Sequence, residues 1–127
     1  MREQVRDRER VTVTLPLPSY NLNPNARPHW RKKAQAVRSY REIAYLLALV
    51  DRPPAPWTVA HVTCRFYFRD LRRRDRDNLL ASMKPAFDGL ADARVIADDA
   101  GLIHQPVEMA VDRGDPRVEV TVERIAP

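Results

Sequence analysis

Acidic and basic side chains alternate densely in the segment RFYFRDLRRRDRD, which runs from Arg65 to Asp77 and holds six arginines and three aspartates. Arginines alone would suit phosphate binding, but carboxylates repel a phosphate unless a cation lies between them. A divalent metal held by Asp75 and Asp77 would remove that conflict, because carboxylate and phosphate oxygens can share the coordination shell of Mg²⁺. The structural alternative is that Asp77 caps a helix and Asp75 pairs with a neighbouring arginine.

Lys84 is the next residue that could take part in catalysis. In a helix that begins near Asp77, helical spacing places Lys84 on the same face as Asp77 and Asp88. Its ammonium group would then lie near the two carboxylates and could stabilise negative charge that develops on a phosphate. The alternative is an ion pair between Lys84 and Asp88 within the helix, worth about 0.3–0.5 kcal/mol.

A second acidic pair, Asp98 and Asp99, stands in the segment VIADDAG. Such a pair often only forms a turn, but carboxylates from two separate segments are what a hard-cation site needs. A zinc site is not expected, because the three histidines do not have zinc-ligand spacing with Cys64. The three glycines are isolated, so no phosphate-binding glycine loop and no nucleotide cofactor are expected.

The composition narrows the class of protein. The chain has 127 residues, 44% of them hydrophobic, which fits one globular domain and excludes wholesale disorder. The net charge is +5, with 19 arginines and three lysines, which raises the expectation of a polyanionic partner. No apolar run suits a membrane span or a secretory signal, and Cys64 has no disulfide partner, so a cytoplasmic location is expected.

The first half of the chain is predicted to form four elements of the fold that positions these residues. Alternating apolar residues predict a strand from Val11 to Leu17, and prolines and asparagines at 18–30 predict a long irregular loop. Helical spacing predicts a helix from Arg31 to Val50, and alternation predicts a strand from Trp57 to Phe68.

The second half is predicted to hold a helix that starts near Asp77 and is kinked or divided by Pro85. Two strands follow, at Val107–Val111 and Val118–Val122, joined by the turn RGDP. The order strand-helix-strand-helix-strand-strand predicts a small α+β domain, with helices packed on one mixed β-sheet. Residues 1–10 are expected to form a flexible tail, and 11–125 a single domain.

The chain resembles the RusA family of Holliday junction resolvases over most of its length from about residue 11. The motifs that carry the resemblance are RRRDRDN (72–78), KPAFDGL (84–90), VIADDA (95–100), VEVTVERI (118–125) and LPLPSYNLNPN (15–25). The resemblance implies a homodimeric, Mg²⁺-dependent endonuclease, with Mn²⁺ as a possible substitute, that nicks symmetric strands of four-way DNA junctions.

The resemblance also implies roles for individual residues. Asp75, Asp77 and Asp99 match the metal carboxylates, and Asp98 would join the metal site as an outer acid. The arginines expected to contact DNA phosphates are Arg69, Arg72, Arg73, Arg74 and Arg76. The essential lysine of the family usually falls where this chain has Ala81, so Lys84 must take over its role or catalysis is weaker.

Two other classes of protein stay open at this point. One is a branched-DNA-binding module that has lost turnover, for which Ala81 is the best argument. The other is an RNA-binding accessory protein, which no aromatic stacking platform in the sequence supports.

Overall fold

The computed structural model describes residues 9–125, and the predicted flexible tail lies outside that range except for Glu9 and Arg10. The strands are β1 (Arg10–Leu15), β2 (Ala60–Phe68), β3 (Leu102–His104), β4 (Glu108–Val111) and β5 (Arg117–Arg124). The helices are α1 (Trp30–Ala48), α2 (Arg76–Ala81) and α3 (Lys84–Asp92), with 3₁₀ turns at Tyr20–Leu22 and Asp99–Gly101. Within the described range, no helix is both long enough and apolar enough to span a bilayer.

The five strands form one mixed sheet, as the α+β prediction requires. β5 lies between β1 and β2 and is antiparallel to both. On its other side, β2 pairs in parallel first with β3 and then with β4. The strand β2 is therefore central in the sheet. The loop that follows it leads to Asp75, and the segment that precedes it contacts the turn that carries Asp99.

The predicted hairpin of the last two strands is wrong. β4 and β5 are neighbours in sequence, but β2 lies between them in the sheet. The RGDP segment carries the chain over the end of β2, where the backbone N–H of Asp112 donates to the carbonyl of Phe68 at 2.8 Å. Alternation predicts which residues of a strand face the core, but it carries no information on the neighbouring strand.

One face of the sheet forms the core. In β2, Ala60, Val62, Cys64, Phe66 and Phe68 are buried and alternate with more exposed residues, as the sequence predicts. Valines of β1 and β5 extend the same face, and α1 and α3 pack against it. Burying each large apolar side chain contributes about 1.5–3 kcal/mol, so this face fixes the positions of both helices.

The two covering helices approach each other closely at Gly89. A Cβ atom at that position would lie 2.4 Å from the carbonyl oxygen of Arg41 and 2.8 Å from the Cβ of Ala44. At the edge of the contact, Arg41 and Asp92 form a two-bonded ion pair, with N···O distances of 2.6 and 2.9 Å. Glycine thus lets the backbone of α1 rest directly on α3.

The segment after Asp75 is divided into two helices, which confirms the effect predicted for Pro85. The hydroxyl of Ser82 donates to the carbonyl of Asn78 at 2.8 Å, a bond that closes α2. Pro85 then stands in the first turn of α3, where its missing N–H leaves no helical hydrogen bond unmade. The division places Lys84 at the first position of a new helix.

Candidate active site

Asp75 caps α2. Its Oδ1 accepts hydrogen bonds from the backbone N–H groups of Asp77 (2.8 Å) and Asn78 (3.1 Å). Asp77 lies in the first turn, where a negative charge is favoured by the helix dipole. The capping role considered for Asp77 therefore belongs to Asp75, and both carboxylates stand exposed at the start of α2.

Lys84 joins two acidic segments. Its Nζ donates to Asp88 at 2.8 Å, which is the intrahelical pair considered from the sequence, and also to Asp99. The hydrogen bonds that Lys84 donates to Asp88 and to Asp99 raise the pKa of Lys84. The same contact with Lys84 lowers the pKa of Asp99 below its ordinary value. Lys84 is therefore held as a cation next to an ionised Asp99.

This cation occupies an unfavourable place in its helix. A positive charge at the first position of a helix faces the positive end of the helix dipole. The carboxylates of Asp88 and Asp99 offset that repulsion. The charge of Lys84 is therefore stabilised by Asp88 and Asp99 and not by the dipole of α3.

A sharp turn at the end of α3 delivers Asp99 to Lys84. Arg94 adopts a left-handed conformation with φ 67°. The N–H of Val95 donates to the carbonyl of Leu90 at 3.1 Å, and that of Arg94 to Ala91 at 3.0 Å. These two bonds form a Schellman motif, which ends the helix and reverses the chain towards the 3₁₀ turn.

Asp98 and Gly101 fix the 3₁₀ turn that carries Asp99. Asp98 Oδ1 accepts from the N–H of Ala100 at 2.9 Å and so caps the turn. At Gly101 a Cβ atom would lie 2.0 Å from the carbonyl oxygen of Thr58, so the turn lies directly on the segment before β2. Asp98 thus has a positioning role here, while its predicted part in a metal site stays a prediction.

The donor set can be compared with the requirements of a magnesium ion. Asp75, Asp77 and Asp99 supply the hard carboxylate oxygens that Mg²⁺ prefers, and their chemistry fits this ion. Between residues 9 and 125, no three His, Cys, Asp or Glu side chains are grouped closely enough to hold a metal. The structure brings Asp75 with Asp77 and brings Asp99 with Lys84, so their joint role as metal ligands stays a prediction.

The predicted DNA-contacting arginines fall into two groups. Arg69, Arg72 and Arg73 are exposed in the loop between β2 and α2. Arg74 instead packs over the ring of Phe68 at 3.7 Å and donates to Asp70 at 2.9 Å. Arg76 is exposed but donates to the carbonyl of Val107 at 3.3 Å.

Arg74 therefore has a structural contact. Arg72 stays exposed but forms a long ion pair with Asp70 at 3.7 Å, while Arg69 and Arg73 are exposed in the same loop. Sequence reasoning missed Asp70 as the residue that organises this loop. Asp70 accepts from the N–H of Arg72 at 3.0 Å, and this bond, with that from Arg74, lowers the pKa of Asp70. An aspartate two residues before a basic run is a weak signal for such a turn.

The sequence also gave no indication of an aromatic platform, yet Trp30 is 68% exposed at the start of α1. By contrast, Cys64 is buried on the core face, and burial raises its pKa to about 12. Cys64 therefore packs in the core as a small apolar residue.

The amino-acid sequence is similar to those of several known proteins. No family model matches the chain. The chain is 34% identical to an uncharacterised protein of Xylella fastidiosa over 90% of its own length and 76% of that protein. It is 33% identical to the crossover junction endodeoxyribonuclease RusA of Escherichia coli K12 over 87% of its length and 92% of that enzyme. The RusA protein of Shigella sonnei gives the same values.

Proposed function

Because the chain belongs to the RusA family of crossover junction endodeoxyribonucleases, we propose that it is a Mg²⁺-dependent endonuclease that resolves four-way DNA junctions by paired nicks. The observation that carries the proposal is the contact between Lys84 and Asp99. It brings the start of KPAFDGL to the end of VIADDA, and both motifs carry the family resemblance. The position of Lys84, three residues after Ala81, supports the idea that it replaces the expected lysine.

Each acidic residue has a defined part in this proposal. Asp75, Asp77 and Asp99 would hold Mg²⁺, and the bound ion would neutralise the scissile phosphate and activate water. Asp75 keeps α2 capped through its Oδ1, which orients the first turn that carries Asp77. Asp98 holds the 3₁₀ turn and so positions Asp99.

The cations act on the DNA. Lys84 would place a positive charge where negative charge develops on the phosphate. The exposed guanidinium groups of Arg69, Arg72 and Arg73 would contact phosphates further along the backbone, which fixes the position of the DNA without reading its sequence. Two symmetric nicks need two active sites related by a two-fold axis, so a homodimer is part of the proposal.

A cleavage assay tests the proposal directly. Purified protein is incubated with a labelled four-way junction, a fork and a linear duplex of matched sequence, with Mg²⁺, with Mn²⁺ or with EDTA. We expect paired nicks in the junction only, with either metal and not with EDTA. Asp77→Asn keeps a polar side chain in the first turn and removes the charge, so it should still bind the junction but not cleave it.

Asp75 offers a matched pair of variants. Asparagine caps a helix about as well as aspartate, whereas alanine loses about 1 kcal/mol. Asp75→Asn should therefore preserve the stability of the wild type but lose cleavage. Junction binding by the wild type without cleavage in either metal would instead identify the protein as a binding module without turnover.

A further inference from the structure

Trp30 is exposed although tryptophan gains much by burial. Its ring lies in the first turn of α1 with 68% of its surface in water, whereas Trp57, the other tryptophan of the chain, is 6% exposed. An exposed indole forgoes the free energy that burial of its apolar surface would give. Aromatic residues and arginine are enriched at interfaces relative to the rest of a protein surface.

The surroundings of Trp30 hold its ring in a defined arrangement. The ring of His29 stacks on it, with centroids 5.7 Å apart and planes 29° apart. His29 is itself fixed, because its Nδ1 accepts from the backbone N–H of Arg31 at 3.1 Å. The guanidinium of Arg31 lies 5.1 Å from the centroid of the Trp30 ring.

The stretch of chain that carries this ring has charges of one sign only. The chain contains no aspartate or glutamate between Glu9 and Glu42. We name the exposed group around the ring the Trp30 surface, and its members are Arg27, His29, Trp30, Arg31, Lys32 and Lys33. A cluster of cations attracts a polyanion over a distance.

We propose that the Trp30 surface binds an unpaired stretch of DNA, with a base stacked on the indole of Trp30 and the flanking phosphates on its cations. Proteins that bind single strands combine these two features, because every base has a face to stack and every nucleotide a phosphate to pair. The choice of DNA as the polyanion rests on the proposed function. The stacking itself rests on the exposed ring and its neighbours.

The fold sets the distance from this surface to the candidate active site. Tyr40 follows Trp30 by ten residues in α1, which is about 15 Å along the helix axis. The hydroxyl of Tyr40 donates to the sulfur of Met83 at 3.6 Å, beside Lys84. The first turn of α1 therefore lies about 15 Å, measured along the helix axis, from the turn that contacts Met83.

Tryptophan fluorescence tests the proposal, because Trp30 is the exposed one of two tryptophans. The full chain in EDTA, which prevents cleavage, is titrated with a thymidine oligonucleotide, a linear duplex of equal length and a four-way junction with a short unpaired bulge. We expect the oligonucleotide and the bulged junction to quench the emission and the duplex to quench it little. The affinities of the Trp30 variants are measured by the fluorescence anisotropy of a dye-labelled oligonucleotide. Trp30→Ala should bind about 5- to 150-fold more weakly, and Trp30→Phe should recover much of that loss.

Val50→Ala is the matched control, since Val50 is 78% exposed beyond the other end of α1 and should bind as the wild type does. Circular dichroism establishes that every variant is folded. Equal affinity of Trp30→Ala and wild type, with no quenching, would overturn the proposal, while cleavage in a parallel Mg²⁺ assay would leave the proposed function standing. A wild type that binds none of the three DNAs would overturn both.

Discussion

Lys84 lies three residues after Ala81, where the lysine was expected, and still contacts Asp99. α2 ends at Ala81, and the chain passes through Ser82 and Met83 before α3 begins. The new helix points the side chain of Lys84 at Asp88 and Asp99. The break before α3 therefore sets the place from which Lys84 contacts both aspartates.

Lys84→Ala should lower the rate of junction cleavage by roughly 10²–10³, the range for losing a charge that stabilises a transition state. Stability should change little, because the Lys84 side chain is 59% exposed and an ion pair of this kind contributes about 0.2–1 kcal/mol. The rate is measured in single-turnover assays and the stability by urea unfolding.

The added substitution Ala81→Lys provides the control for Lys84. Partial rescue of Lys84→Ala by Ala81→Lys would place both positions at one site, and Lys84→Arg should retain more activity than Lys84→Ala. Full activity in Lys84→Ala would remove this lysine from the reaction.

The sequence predicts the identity of these residues better than their contacts. Lys84 and Asp88 are four residues apart in α3, so the pair between them could be predicted locally. The expected alignment of Lys84 with Asp77 assumed one continuous helix, whereas Asp77 lies in the separate helix α2. The contact with Asp99 depends on the left-handed turn at Arg94. Arginine carries no local signal for that conformation, which glycine or asparagine normally adopts.

At the scale of elements, the contact between α1 and α3 depends on Gly89. Gly89→Ala should lower the free energy of unfolding by about 1–3 kcal/mol, because the new Cβ would overlap the backbone carbonyl of Arg41 and force the helices apart. Gly114→Ala is the matched control. Its new Cβ would meet its nearest atom at 3.8 Å, and its backbone has no positive φ, so stability should change by less than about 0.5 kcal/mol. Equal unfolding midpoints in urea for the two variants would contradict this account.

The ion pair at the edge of the same contact predicts a pH dependence. The hydrogen bonds from Arg41 hold the pKa of Asp92 below its ordinary value of 3.8. A carboxylate with a lowered pKa stabilises the fold above its unfolded pKa and loses that contribution as the pH falls through its folded pKa. Asp92→Asn should therefore be less stable than the wild type from pH 7 to about pH 4, and the gap should close in more acidic solution. A gap in urea midpoints that stays constant down to pH 2.5 would assign it to packing instead.

The elements themselves were easier to predict than their partners. The buried alternation of β2 and the division at Pro85 follow from local chemistry, namely side-chain polarity and a missing N–H. β3 has three residues, too few for a periodic signal. The pairing of β4 with β2 joins residues more than 40 positions apart, and the turn residues at RGDP do not encode it.

At the scale of the whole molecule, Cys64 reports on the integrity of the sheet. It is the single cysteine of the chain, lies on the central strand and is 2% exposed. A thiol reagent should therefore modify native protein at least about 10³-fold more slowly than protein in denaturant, since access requires opening of a core worth several kcal/mol. Labelling is followed by absorbance or mass spectrometry, and rapid labelling of the native protein would show that the core around β2 opens locally.

The place of β5 in the sheet has a consequence for biosynthesis. β5 is the last strand of the sheet to leave the ribosome, although it lies between β1 and β2. Its first residue follows the end of β1 by 102 positions, a delay of about 5–20 s at about 5–20 residues per second. Until β5 is made, β1 lacks its native neighbour, and so does one edge of β2 once β2 has been made. Unpaired strand edges can form hydrogen bonds with other chains. Aggregation between nascent chains on one polysome is therefore the main risk for this protein. Chaperones that shield nascent chains would matter most before residue 117 emerges.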